Sequence, residues 1–244
     1  MTAKVAVFLP WWGPSPGWER QFLLRTTDIE ALMPVLVGDA AAWVPEVRVV
    51  RIPCTMDEFQ RRASEVSGIA IHKYDPRYIP GQLVCELCPL MADVYQEIIQ
   101  DYPWWGYGDW DVVWGDWDSF LNDGILSQFD AISTNGATVN GPLQLFKNTP
   151  SIVRLYQDRP DMVRCPTGDY HLGEAGMESI VRNASAAGRM RCLYAAGINA
   201  HDRHEVWNRC VLRGKKLYRM DEQGNVGGEI LKFHFVRKNR WPLS

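Results

Sequence analysis

Asp109, Asp111, Asp116 and Asp118 set four carboxylates within ten residues, in the stretch Tyr107-Gly108-Asp109-Trp110-Asp111-Val112-Val113-Trp114-Gly115-Asp116-Trp117-Asp118. Between Tyr78 and Phe146 the chain holds ten aspartates and glutamates and no lysine or arginine to neutralise them. Oxygen ligands clustered without imidazole or thiolate suit a hard divalent cation such as Mg²⁺ or Mn²⁺. In an extended segment alternate residues face the same way. The D-x-D spacing therefore aims Asp109 and Asp111 at one point and turns Trp110 to the opposite side. Asp116 and Asp118 repeat the spacing, but Ser119–Leu126 has the pattern of a short helix, and an aspartate at its start reads first as a cap, Asp118 more so than Asp116.

Charge is divided unevenly along the chain. The net charge is −3, yet from His201 to Ser244 there are ten Lys or Arg against five Asp or Glu. An acidic centre that holds a metal and a basic tail that holds phosphates together describe a metal–diphosphate site; two complementary surface patches with no ligand between them fit the same charges. The sequence pI of about 6.0 argues against nucleic acid as a partner, as does a basic tail without interleaved aromatic stacking motifs. Six cysteines are sparse for 244 residues, and reduced, buried thiols are expected. Cys85 and Cys88 have zinc-knuckle spacing but lack a second pair to complete a tetrahedral site.

The elements that must position the acids follow from patterning. With 46% hydrophobic and 23% charged residues, the composition is that of an ordinary globular chain, read as one domain over residues 1–244. Val5-Ala6-Val7-Phe8-Leu9, stopped by Pro10, is too short to span a membrane or serve as a signal core, so it reads as a buried strand of a soluble, cytoplasmic protein. Pro10 to Gly17 is a loop, Trp18–Thr27 a helix, and Met33–Asp39 and Val47–Ile52 the next strands. Thr55-Met56-Asp57-Glu58 is a capping box that opens a helix to about Ser67. Leu87 to Ile99 has the spacing of an amphipathic helix with Asp93 on its polar face. Trp104–Gly108 reads as a central strand with close backbone neighbours, Asp109 and Asp111 at its carboxyl end. Strands follow at Phe129–Ser133 and Gly141–Asn148, and Thr149-Pro150 starts a helix through Tyr156. Residues 161–176 form a loop, a helix begins near Met177, late strands cover Met190–Ala195 and Lys215–Met220, and Gly228–Phe235 is the last strand. His234, among apolar and aromatic neighbours there, reads by itself as a core residue with a hydrogen-bond partner.

Asp101-Tyr102-Pro103-Trp104-Trp105-Gly106-Tyr107-Gly108-Asp109-Trp110-Asp111-Val112-Val113-Trp114-Gly115-Asp116 resembles the central signature of a bacterial family of glycosyltransferase-like proteins of the GT-A fold. Leu9-Pro10-Trp11-Trp12-Gly13 is similar to that family's first strand and loop, and Gly141-Pro142-Leu143-Gln144-Leu145-Phe146-Lys147-Asn148-Thr149 to its G-x-x-x-L-F-R-N-T segment. The resemblance implies a single mixed central sheet flanked by helices, the Rossmann-like α/β fold of nucleotide-diphospho-sugar transferases. It implies that Asp109 and Asp111 hold Mn²⁺ or Mg²⁺ against the donor diphosphate. It likewise makes His234 a metal ligand and gives Lys238, in His234-Phe235-Val236-Arg237-Lys238, a contact with the donor phosphate. The family's Asp-Glu pair ahead of the helix near Met177 is Gly173-Glu174 here, leaving Glu174 as candidate base or acceptor-orienting carboxylate. Its K-x-C-D-x-K-P stretch aligns with Leu83–Pro89, which lacks both lysines.

The expected activity is a metal-dependent glycosyltransferase of the hexosyltransferase type, taking a nucleotide-sugar donor and a hydroxyl-bearing small molecule or glycan as acceptor. Base and ribose would lie at the carboxyl ends of the early strands, near Pro10, Trp11 and Asp39, with Trp11, Trp12, Trp104, Trp105 and Trp110 supplying flat faces or packing the core. A metal-dependent nucleotidyltransferase and a non-catalytic nucleotide-sugar-binding protein of the same fold are the rival readings.

Overall fold

The computed structural model describes residues 4–15, 17–43, 46–71, 86–134, 143–161, 176–195, 199–201 and 209–234, the last residue and 199–201 by backbone. Its centre is a seven-stranded sheet in the order β3-β2-β1-β4-β7-β6-β8. These are β1 (Val5–Trp11), β2 (Leu32–Gly38), β3 (Val50–Ile52), β4 (Trp104–Gly108), β6 (Ala131–Ser133), β7 (Leu143–Lys147) and β8 (Cys192–Tyr194). β1 to β4 run parallel, β7 alone runs against its neighbours, and β6 and β8 are parallel again. The sheet is thus mixed and mostly parallel, with β4 at its middle, as the aromatic, glycine-rich stretch implied.

Both faces are covered, which is why the strands read as unbroken apolar runs. Ala6, Phe8, Trp105, Tyr107 and Phe146 enter one core. Val5, Val7, Leu9, Trp104 and Leu145 enter the other. Helix α1 (Glu19–Thr27) covers the second face; α2 (Met56–Ser67) and α3 (Met177–Ala186) cover the first. α2 begins with the capping box foreseen, Glu58 N–H donating to the Thr55 hydroxyl at 3.2 Å and Thr55 N–H to the Glu58 carboxylate at 2.6 Å. Gly106 lets β4 and β7 meet: a Cβ there would stand 2.2 Å from the Gln144 carbonyl oxygen. At the end of β7, the Asn148 amide donates to the Ile99 and Tyr102 carbonyls at 2.7 and 2.9 Å.

Several expectations are corrected. The helix over Leu87–Ile99 is broken at Tyr95 (φ −121°, ψ 36°) into Met91–Val94 and Gln96–Ile99. Tyr95 turns its ring onto Phe8 and Phe59, with centroids 6.1 and 6.2 Å away, so core packing overrides helical periodicity. Asp93 belongs to the interior and not to a polar face, accepting from the Tyr156 hydroxyl at 2.6 Å and Arg154 Nε at 3.1 Å. The short helix after the acidic stretch starts at Trp117 with Asp116, not Asp118, at its N-cap, and that carboxylate takes the Ser119 hydroxyl at 2.9 Å. The expected last strand is two, β12 (Val226–Ile230) and β13 (Lys232–His234), in different sheets. β10 (Arg209–Arg213), β11 (Lys216–Met220) and β12 form one three-stranded sheet. β5 (Val112–Trp114), β13 and β9 (Asn199–His201) form another. Cys54, Cys88, Cys192 and Cys210 are free thiols; Cys88 is buried and the other three are half-buried. No helix among the described residues is long and apolar enough to cross a membrane.

Candidate functional site

The carboxyl ends of β1, β2 and β4 lie along one edge of the sheet, the edge at which open α/β sheets bind ligands. Leaving β4 at Gly108, the chain bends over 109–111 and enters β5 in the second sheet. The bend is fixed by Trp110, 4% exposed, whose indole N–H donates to the Pro10 carbonyl at 3.3 Å. Its ring lies 5.1 Å from Phe22 and 5.3 Å from Trp43. Asp109 and Asp111 flank it, each half-buried. Trp110 is therefore buried between two half-buried aspartates, but on a bend and not in the extended segment that the D-x-D spacing assumed.

β5 brings in the end of the chain. It pairs with β13 in antiparallel register, Lys232 opposite Trp114, Phe233 opposite Val113 and His234 opposite Val112. His234 thus stands opposite the residue that follows Asp111, and on its other side opposite His201 of β9; its side chain lies outside the described part. Gly115 allows the crossing: its N–H donates to the Leu231 carbonyl at 2.6 Å, and a Cβ there would come within 2.5 Å of the Ile230 carbonyl oxygen.

Lys232 is the residue that sequence reasoning passed over. It is 1% exposed, and among the described residues it is the only lysine or arginine in the buried interior. Burial pushes its ammonium down to about 7, and Asp109 and Asp111 pull it back up, so the acidic pair lies within electrostatic reach of it. The signal was present: a lysine inside the otherwise apolar run Ile230-Leu231-Lys232-Phe233, two positions before His234.

Pro10 and Trp11 end β1, and Trp11 is in register with Gly38 at the end of β2. Gly38 has φ 83°, and a Cβ there would sit 2.6 Å from the Trp11 carbonyl oxygen. The next residue, Asp39, is exposed and accepts from the Gly13 N–H at 2.8 Å, tying the Pro10–Gly13 loop to β2. Pro10, Trp11, Asp39, Asp109 and Asp111 therefore share one edge. Trp104, Trp105 and Trp110, candidates for stacking on a base or sugar, are 3%, 1% and 4% exposed and pack the core instead. Trp11 and Trp12 remain half-buried at the edge, with indole N–H groups on the Pro14 and Cys54 carbonyls at 3.0 and 2.9 Å. Glu174 and Lys238 lie outside the described residues. Among those described, no three His, Cys, Asp or Glu side chains gather as a metal cluster. A cavity of about 400 Å³ opens between α1 and the β10–β11 hairpin, but its walls are chiefly apolar. Arg25 at its margin already donates to the Trp114 and Lys215 carbonyls at 3.0 and 2.7 Å.

Comparison with solved structures identifies the fold. Mouse xyloside xylosyltransferase 1, in its apo form, superposes with a TM-score of 0.52 at 12% identity over 99% of this chain and 100% of its own. A galactosyltransferase, LgtC, in complex with donor and acceptor sugar analogs, gives 0.46 at 13% identity over 95% and 87% of the two chains. The architecture is that of the GT-A glycosyltransferases. No curated protein sequence matches significantly. The sequence profile of DUF6625, a family of unknown function, matches residues 7–170, and the chain belongs to that family.

Proposed function

We propose that the protein is a metal-dependent glycosyltransferase that moves a sugar from a nucleoside-diphosphate donor to a hydroxyl-bearing acceptor, a small molecule or a glycan. The observation that carries this reading is the meeting of Asp109 and Asp111, at the carboxyl end of the central strand, with the β13 segment that bears Lys232 and His234. The donor set fits a hard cation: two half-buried aspartates on a bend fixed by Trp110. Bound Mn²⁺ or Mg²⁺ would stabilise the negative charge that develops on the departing nucleoside diphosphate.

The chain's own residues divide the remaining work. Asp109 and Asp111 would hold the cation, with His234 as third ligand. Pro10, Trp11 and Asp39 border the nucleoside, the backbone of the Pro10–Gly13 loop being held in place by Asp39. Lys238 contacts the donor phosphate, and Glu174 orients the acceptor hydroxyl or takes its proton.

Calorimetric titration of nucleoside diphosphates and nucleotide-sugars, with and without Mn²⁺, tests this. The expected result is one preferred nucleotide whose binding needs the metal in the wild type and is lost in Asp111→Asn at an unchanged melting temperature. Equal binding without metal, or full activity of Asp111→Asn, would remove the metal site and with it the transferase reading.

A further inference from the structure

The sheet of β10, β11 and β12 turns its two faces to different surroundings. Residues opposite each other in register share a face, so Leu217 and Ile230 lie together on the inner one, buried against Phe233. Val211 with Tyr218, and Met220 with Val226, fall on the outer face. An antiparallel sheet with one face in water ordinarily carries polar residues there. Here the middle of that face is apolar, Val211, Tyr218 and Met220 half-buried and Val226 exposed. Val226 at 39% and Leu212, beside the β10–β11 turn, at 45% are the two most exposed large apolar side chains among the described residues. Exposed apolar area of this kind marks a contact surface.

Charge narrows the partner. From Arg209 to Met220 there are five Lys or Arg and no Asp or Glu, in a chain whose net charge is −3. Arg213 stands opposite Lys216, and with Lys215 they make the turn beside Leu212 a basic tip exposed to solvent. Of the acids that follow, Glu229 pairs with Lys216 at 2.9 Å, and Asp221 accepts from the Asn225 backbone and side-chain amides at 2.7 Å. We propose that this outer face and tip dock on an anionic lipid bilayer, Arg213 and Lys215 meeting headgroup phosphates while Tyr218, Met220 and Val226 rest in the interface. Long cationic side chains that lay their stems along apolar surface suit such a boundary. A nucleic acid would need stacking platforms, and the one aromatic ring of this face, Tyr218, already lies under Arg213 at 5.8 Å. β12 continues through Leu231 into β13, so the docking sheet is one chain segment with the strand that bears His234.

Sedimentation with vesicles of phosphatidylcholine alone, and of phosphatidylcholine mixed with phosphatidylglycerol, tests this without metal or nucleotide. The wild type should bind the mixed vesicles only, and less tightly as salt is raised. Arg213→Gln combined with Lys215→Gln should weaken binding about 25-fold, about fivefold for each cation. Val226→Ser should weaken it about fivefold and leave the salt dependence unchanged. These side chains are exposed, and an unchanged melting temperature verifies the fold of each variant. Absence of binding to mixed vesicles, or undiminished binding by the double variant, would overturn the proposal. Equally tight binding to soluble polyglutamate, indifferent to Val226→Ser, would overturn the bilayer and give the face to an acidic protein. The transferase reading does not enter these measurements, and it stands or falls separately.

Discussion

β4 and β5 are separated by only three residues, yet they belong to sheets assembled in different ways. In the seven-stranded sheet β1, β2 and β3 are successive in sequence and side by side in space, β1 and β2 being joined through α1. The sheet of β5, β13 and β9 instead joins Val112–Trp114 to segments from the far end of the chain. The carboxylates of the candidate site end the first sheet, whereas Lys232 and His234 arrive through the second. One half of the site therefore sits on a strand whose pattern is written in adjacent residues but which is seated by pairing with β1 and β7, and the other half is brought from the far end of the chain by the pairing of β13 with β5.

The most damaging way to break that division is at Gly106. A side chain there runs into the β7 backbone at 2.2 Å, and backbone has nowhere to go in the middle of the sheet. Gly106→Val is expected to cost more than about 3 kcal/mol and to remove both sheets together, read as loss of the cooperative urea transition. Gly115→Ala separates the two. Its Cβ would press on the Ile230 carbonyl oxygen at 2.5 Å, displacing β13 from β5 while leaving the seven-stranded sheet untouched. A loss of about 2 kcal/mol is expected, together with loss of Mn²⁺-dependent nucleotide binding. Retention of that binding would mean that the second sheet contributes nothing to the site.

The same division explains what the sequence made legible. Strand β1 and the capping box of α2 are written in adjacent residues; the capping box appears where the pattern places it, whereas β1 is not stopped by Pro10 but runs on through it to Trp11, in register with Val37 and Gly38. The burial of Trp110 between Asp109 and Asp111 was anticipated from spacing, but the chain bends there, and Pro10, Phe22 and Trp43 hold the ring. Lys232 was not legible as a site residue, because its meaning depends on pairing with Trp114, which no window of sequence contains. The break at Leu231 was hidden for the same reason: Gly228–Phe235 has continuous strand character, and its two parts differ only in their partners, β12 pairing with β11 and β13 with β5. At Tyr95 and Asp93, helical periodicity was real but gave way to contacts with Phe8, Phe59 and Tyr156.

A smaller perturbation sharpens the contrast from the side of the seven-stranded sheet distant from the acidic bend. Asp130, just before β6, accepts from the Arg191 N–H and Nε at 2.9 and 3.3 Å and from Lys147 Nζ at 3.4 Å. Burial works against its charge, but hydrogen bonds from Arg191 and Lys147 outweigh that and hold the carboxyl below its ordinary range. A carboxyl depressed in the folded state adds stability that is complete above the ordinary aspartate range and is lost as the pH falls through the folded value. Asp130→Asn should thus cost about 1–2 kcal/mol at neutral pH, and the difference from wild type in urea denaturation should shrink in acid. Mn²⁺-dependent nucleotide binding should be unchanged, since no part of the second sheet is touched.

The smallest effect belongs to the most local feature. Thr55 and Glu58 satisfy each other's backbone N–H groups within one turn of α2, and neither contacts the second sheet. Thr55→Ala removes the hydroxyl acceptor and leaves the Glu58 N–H to water. The expected loss is about 1 kcal/mol, seen as a melting temperature lower by about 2–4 °C. Because α2 covers the face of the sheet that holds Phe8 and Tyr95, through Phe59, the loss should spread evenly over the seven-stranded sheet in hydrogen exchange. If exchange instead quickened in β5 and β13 as well, the two sheets would unfold as one cooperative unit, and the separation expected for Gly115→Ala would fail with it.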